Sequence, residues 1–273
     1  MKIKYVLFFI FIIIVVALGT NIDVRKTKNK GVESYVDPDE CRWIKDYFDK
    51  VVVITLPERE ENVKSVMKNL KIEAELFEAI KKDKLDIEQM KRDEIITKDC
   101  KLNNGRIACH LSHLSVISRF LEDPYSDTIL IFEDDLLDNK GKDLQIVKDT
   151  IKNVMNNIPN DWDLIYFGKC WDLCNDSIKI NDYVNKSYPL CRHGYGVSKK
   201  GASKILEYCL PIINKNGDVH IRDLSKEGKL NIYTPSINIF EQNRDTFGTN
   251  LGNYNKIKLC SNSKNPFNFI KLK

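Results

Sequence analysis

The chain has 273 residues, 42% hydrophobic and 30% charged, and its 43 basic and 39 acidic side chains leave a formal net charge of +4. That length allows one substantial core, a single large α/β domain, and the supply of aromatic and β-branched residues argues against disorder. Interspersed, nearly balanced charge excludes a nucleic-acid binder, which would gather its basic residues on one face, and gives no bulk attraction to a membrane surface.

In chain order, Lys2 and Lys4 precede the unbroken apolar run Tyr5–Leu18. Its 14 residues fall short of the ~20 of a usual membrane span and suit the core of a signal peptide. Ala17 and Gly19 fit the small-residue pattern of a cleavage site. No polar face interrupts the run, which argues against a buried core helix. Arg25, Lys26, Lys28 and Lys30 follow it and slightly oppose a cytosolic N-terminus. Residues 1–20 are therefore read as a cleaved signal or an uncleaved anchor. Either sends the chain into the secretory pathway, and the second would hold it at the membrane. Residues 21–42 read as a polar linker, 43–260 as the folded domain and 261–273 as a tail.

Within the domain, Val51–Leu56 reads as a buried strand stopped by Pro57. Residues 61–70 then place Val63, Val66, Met67 and Leu70 at helical spacing, and 74–80 read as a second strand. Residues 106–121 set Ile107, Leu111, Leu114, Ile117 and Leu121 on one helical face, ended by Pro124. The strand Thr128–Phe132, a helix over 143–159, strands over 161–168 and 193–198, and a helix over 199–210 follow. Strands alternating with helices imply a single mostly parallel sheet with helices on both faces, and ligands gather at the carboxyl ends of its strands.

The third of those strands ends in Glu133, Asp134 and Asp135. Adjacent carboxylates near a low-dielectric core repel, and a cation joining them relieves the repulsion. Mg²⁺ or Mn²⁺ would take their oxygens and leave positions for phosphate and water. The plainer alternative is an exposed acidic loop paired to Lys140 or Lys142. His110 and His113 could form part of a zinc site, but the sequence offers no third ligand and no metalloprotease glutamate. Eight cysteines are many for a cytosolic enzyme of this size. Cys170, Cys174 and Cys191 crowd one segment, which predicts at least one disulfide there. The sequons at Asn175 and Asn185 lie in what reads as a surface loop.

Five blocks in order, VITLPERxENV, GRIACHLSHLSV, ILIFEDD, WDLIYFG and RHGYGVSKKGASKIL, resemble glycosyltransferase family 25 over about residues 48 to 252. The resemblance implies a GT-A type nucleotide-sugar-binding fold, a UDP-hexose donor and inversion at the anomeric carbon. It further implies a glycan, glycoprotein or lipid-linked sugar acceptor. By the same resemblance, Asp135 and Glu133 hold Mn²⁺ or Mg²⁺, and Thr55, Leu56, Arg59, Ser112, His113, Glu133 and Asp134 border the donor. Glu61 stands where the family has a second arginine. Two acids are candidates for the general base: Asp218, after a glycine turn at a helix start, and Asp172, just past a strand end. For the first the alternative is a helix cap, for the second a solvated loop acid. Gln242 or Arg244 would close over the donor. Two rival readings are an inactive relative serving as a binding or adhesion module, and a hydrolase using the same metal.

Overall fold

The β-branched run Val51–Thr55 with Lys50 before it forms β1 (Lys50–Thr55), buried along almost its whole length as a central strand must be. The structure is a computed structural model and describes residues 41–137, 144–243 and 246. The N-terminal run, most of the 21–42 linker, Lys140, Lys142, Arg244 and the tail lie outside the described residues. After β1, Pro57 opens a short 3₁₀ turn that leads into α1 (Glu60–Leu70), which buries the four residues its spacing selects. Strand β2 (Glu75–Glu78) and the six-residue α2 (Ile87–Arg92) precede the long α3 (Asn104–Glu122). Asn103 caps α3, its side-chain oxygen accepting from the Arg106 N–H at 2.9 Å. Then come β3 (Thr128–Glu133), α4 (Leu144–Asn157) and β4 (Leu164–Gly168). The short strands β5 (Trp171–Asp172), β6 (Ile178–Lys179), β7 (Val184–Lys186) and β8 (Pro189–Leu190) follow. The chain continues through β9 (Gly194–Ser198), α5 (Lys199–Cys209), α6 (Gly217–Lys226) and β10 (Ile232–Pro235).

Eight strands form one sheet in the order β2-β1-β3-β9-β4-β10-β7-β6, and β5 pairs with β8 apart from it. β1 runs parallel to β2 and β3, and β4 parallel to β10. β9 is antiparallel to both β3 and β4, and β7 to both β10 and β6. Six of the eight strands therefore point one way, the mostly parallel α/β architecture expected. The reversed β9 carries its own N-terminal end to the carboxyl ends of β3 and β4, and so sets the residues just before it at that edge.

One face of the sheet, with Val51, Val53, Leu130, Phe132, Ile165 and Phe167, packs against α1, α4 and the 3₁₀ turn Trp43–Asp46. The other presents Val52 and Ile129 beside Val116 and Phe120 of α3, and stacks Tyr166 on Tyr195. The sequence pattern gives α3 a single apolar face, yet twelve of its 19 residues are buried, because α5 covers the side turned from the sheet. Several of its polar side chains go inside with partners, as when Ser112 Oγ donates to the Ala108 carbonyl at 2.8 Å, while Ser118 Oγ is buried without one among the described residues. Cys170 and Cys191 form the disulfide that their crowding predicts. Asn185 lies in strand β7 rather than in a loop, and Ser187 of its sequon is fully buried.

Candidate active site

The acids that end β3 open onto a cleft of about 500 Å³ at the carboxyl edge of the sheet. Leu56, Arg59, Ser112, His113, Glu133, Asp134, Asp135, Asp218 and Gln242 all line it. Residues far apart in sequence thus meet where a mostly parallel sheet presents its strand ends.

The three acids have separate tasks. Asp134 joins two turns: its Oδ2 accepts from the Leu56 N–H at 2.9 Å and its Oδ1 pairs with Arg59 Nη1 at 2.8 Å. Both oxygens are engaged, so the residue shapes the wall more than it offers itself to a sugar. Glu133 Oε1 lies 2.8 Å from His113 Nε2, and His113 Nδ1 lies 3.0 Å from the Tyr195 hydroxyl. Burial, and then the Arg192 charge, hold His113 well below the usual imidazole range, so it is neutral. It then donates from Nε2 to Glu133 and accepts the Tyr195 O–H at Nδ1, which orients the carboxylate. Asp135 Oδ2 accepts from Gln242 Nε2 at 2.8 Å, while Oδ1 is buried without a partner among the described residues. Burial, with repulsion from Glu133 and Asp134, pushes Asp135 up to about 8. An orphaned carboxylate oxygen beside a second carboxylate has the chemistry of a hard divalent cation site. Glu133 and Asp135 fit such an ion. Cys109, His113 and Glu133 also bring ligand atoms within 4.8 Å of one another, but the neutral His113 already spends its Nε2 proton on Glu133.

Two expectations need correction. Thr55 does not line the cleft; it is buried, and its hydroxyl donates to the Leu56 carbonyl at 3.0 Å, bracing the turn from behind. Asp172 is not a loop acid facing substrate. It is buried away from the cleft, pairs with Lys169 Nζ at 2.6 Å, and accepts from the Ser187 hydroxyl and the Tyr188 N–H. A carboxylate so enclosed holds β5, β8 and the β7–β8 link together. Asp218, the other candidate base, does line the cleft. The helix cap is Asn216, and Asp218 stands inside the first turn of α6. Its Oδ2 accepts from the Cys191 N–H at 3.2 Å and its Oδ1 from the Val219 N–H at 2.8 Å. Ser112 accepts the Ile80 N–H at 2.9 Å and so ties the segment after β2 to α3. Glu61, which replaces a family arginine, points to solvent and pairs with Lys64, so it leaves the cleft's charge untouched.

The cleft also contains residues to which the sequence reading assigned no role: Lys81, Lys82 and Asn216, and, inside the five blocks, Arg106, Cys109 and Arg192. The signal for Arg192 was a charged residue placed directly before a buried strand. Behind the cleft, Cys209 and His220 supply the partners that His110 lacked in the sequence, with ligand atoms within 4.8 Å. The Arg192 guanidinium, 3.4 Å from His110 Nδ1, opposes a cation there.

The family model described as glycosyltransferase family 25 (LPS biosynthesis protein) matches residues 48–221. Mouse procollagen galactosyltransferase 2 is 26% identical over 178 residues, covering 58% of this chain and 27% of that protein. Its human counterpart is 26% identical over 179 residues, with the same shares. The chain thus spans about a quarter of the length of these relatives.

Proposed function

The chain belongs to glycosyltransferase family 25, and from that premise we propose that it moves a hexose from a UDP-sugar to an acceptor hydroxyl, with inversion at the anomeric carbon. The observation that carries this reading is the cleft, where Glu133 and the orphaned Asp135 Oδ1 stand with Asp218 and the cations Arg59, Lys81 and Lys82. Such a mixture suits a ligand with an anionic diphosphate at one end and neutral hydroxyls at the other.

Asp218 takes the proton of the acceptor hydroxyl as that oxygen forms its bond to the sugar C1. The bond from C1 to the phosphate oxygen breaks, and its electron pair leaves with the diphosphate. Glu133 and Asp135 would hold Mn²⁺ or Mg²⁺, which when bound neutralises charge on the diphosphate. His113 fixes Glu133, Asp134 fixes the Leu56–Arg59 turn, and Ser112 fixes the segment after β2, so the donor meets a preformed wall. The relatives' name supports galactose as the sugar and a protein-bound hydroxyl as the acceptor. Work in the secretory lumen is supported by the N-terminal apolar run and by the Cys170–Cys191 disulfide, which persists in an oxidising compartment. No helix among the described residues is long and apolar enough to cross a membrane. Attachment through the N-terminal run therefore rests on the sequence.

The test is a donor screen. UDP-galactose and UDP-glucose are incubated with Mn²⁺, with and without an acceptor library. Consumption that requires an acceptor, stops with chelator and returns with Mn²⁺ supports the reading. Equal consumption without acceptor would mark a hydrolase, and none under any condition a binding module.

A further inference from the structure

Arg192 is 4% exposed, yet its side chain lines the cleft. It stands two residues before β9, and since the Glu133 N–H donates to the neighbouring His193 carbonyl at 3.2 Å, Arg192 lies at the same sheet edge as the β3 acids. A guanidinium carries five donors and does not lose its charge. The described residues give this one a single side-chain partner, His110 Nδ1 at 3.4 Å, and no carboxylate pairs with it. That partner is neutral, because burial and then Arg192 itself hold His110 well below the usual imidazole range. A buried cation with one long bond to a neutral acceptor is poorly compensated.

The fold nevertheless makes room for it. A Cβ at Gly217 would stand 2.8 Å from Arg192 Nη2 and 2.5 Å from His110 Nδ1, so the guanidinium lies against the first residue of α6 and a larger residue there would displace it. The N-terminus of this ten-residue helix is itself partially positive. Asp218, in the first turn of the helix, acts on Arg192 through space, but its two oxygens accept from the Cys191 and Val219 N–H groups and form no ion pair with the guanidinium.

We propose that Arg192 is the residue that grips the donor's diphosphate, and that it takes up the negative charge that develops there as the C1–oxygen bond breaks. The fork of a guanidinium matches phosphate oxygens in geometry, and the arriving anion supplies the direct ion pair that no described carboxylate makes. This inference rests on the transferase reading. It adds a specificity determinant: ligands with a diphosphate are selected over the nucleoside alone, and lysine cannot fully replace the arginine.

Calorimetry on the full chain with Mn²⁺, using UDP and uridine as probes, tests it. Arg192→Gln is expected to weaken UDP binding about 10- to 100-fold and to leave uridine binding within about twofold. Arg192→Lys should fall between that variant and the wild type. A merely structural arginine would weaken both probes alike or neither, and either result overturns the proposal. If Arg192→Gln does not fold, Arg192→Lys decides: UDP affinity equal to wild type overturns the proposal, and a loss confined to UDP supports it. Failure of the wild-type chain to bind any nucleoside diphosphate would instead overturn the transferase reading itself.

Discussion

Asp135 gives up one oxygen to Gln242 and keeps the other buried without a partner, between two further acids. Its carboxyl, pushed up to about 8, holds a proton in the metal-free fold at pH values where the unfolded chain has lost it. Between pH ~4 and ~8 the native state therefore binds more protons, and stability falls as pH rises through that window. Asp135→Asn should remove this part of the pH dependence, so the substituted protein melts higher than wild type near pH 8 without metal while losing Mn²⁺-dependent transfer. Thermal melts across pH check it, and an unchanged slope in the variant would assign the instability to another group. Asp218 carries the second expectation at this scale. Asp218→Asn keeps an oxygen for one of its two backbone N–H partners, so folding and UDP affinity should change little. Transfer should fall about 10²- to 10⁴-fold in kcat, the usual cost of losing a general base. Wild-type kcat in this variant would remove Asp218 from the reaction. The sequence pointed to both residues because each follows a pattern that local chemistry makes conspicuous, a strand-end acid and an acid after a glycine turn. It misplaced Asp172 because burial of that carboxylate depends on Ser187 and on packing of β8, neither of which any spacing reveals.

The elements differ in how plainly the sequence announces them. β1, β3 and β4 are apolar runs, and α1 and α4 repeat their apolar residues at helical spacing, so local pattern and buried surface agree. α2 has six residues and one buried side chain, Met90, too few to establish a period. β5 to β8 have two or three residues each and exist through their partners; Val184, the one buried residue of β7, is held opposite Pro235 of β10. Strand direction was legible only as an average. The run 193–198 reads as a strand in any orientation, and its reversal between β3 and β4 is settled by the loop of short strands that returns the chain to the sheet edge. That reversal sets Arg192 at the same sheet edge as Glu133, which explains why a charge before a buried strand could be read from the sequence but its place in the cleft could not. The turn after β1 was legible as a donor border, but its connection to Asp134 across 75 residues appears only once β1 and β3 pair in parallel.

At the scale of the molecule, the Cys170–Cys191 disulfide links stability to the site. It ties the start of the β5–β8 excursion to its end, with Cys191 next to Arg192 and its N–H donated to Asp218. Fixing a loop of sequence separation 21 is worth about 3 kcal/mol through the unfolded chain. At ~2–4 °C per kcal/mol for a domain of this size, Cys170→Ser is expected to lower Tm by roughly 6–12 °C. A second effect should accompany the first. Cys191 holds a left-handed backbone conformation, φ 71°, unusual for a residue with a side chain, and the disulfide helps pin it there. Released, the Cys191–Arg192 backbone gains freedom beside the cleft, and UDP affinity should drop well below the melting range, where most of the protein remains folded. Calorimetry with UDP at about 20 °C below the variant's own Tm, beside wild type at the same temperature, separates the two effects. A lower Tm with unchanged UDP affinity would confine the disulfide to stability. A parallel loss in both would make the oxidised compartment a condition of the site's shape as well as of the fold's survival.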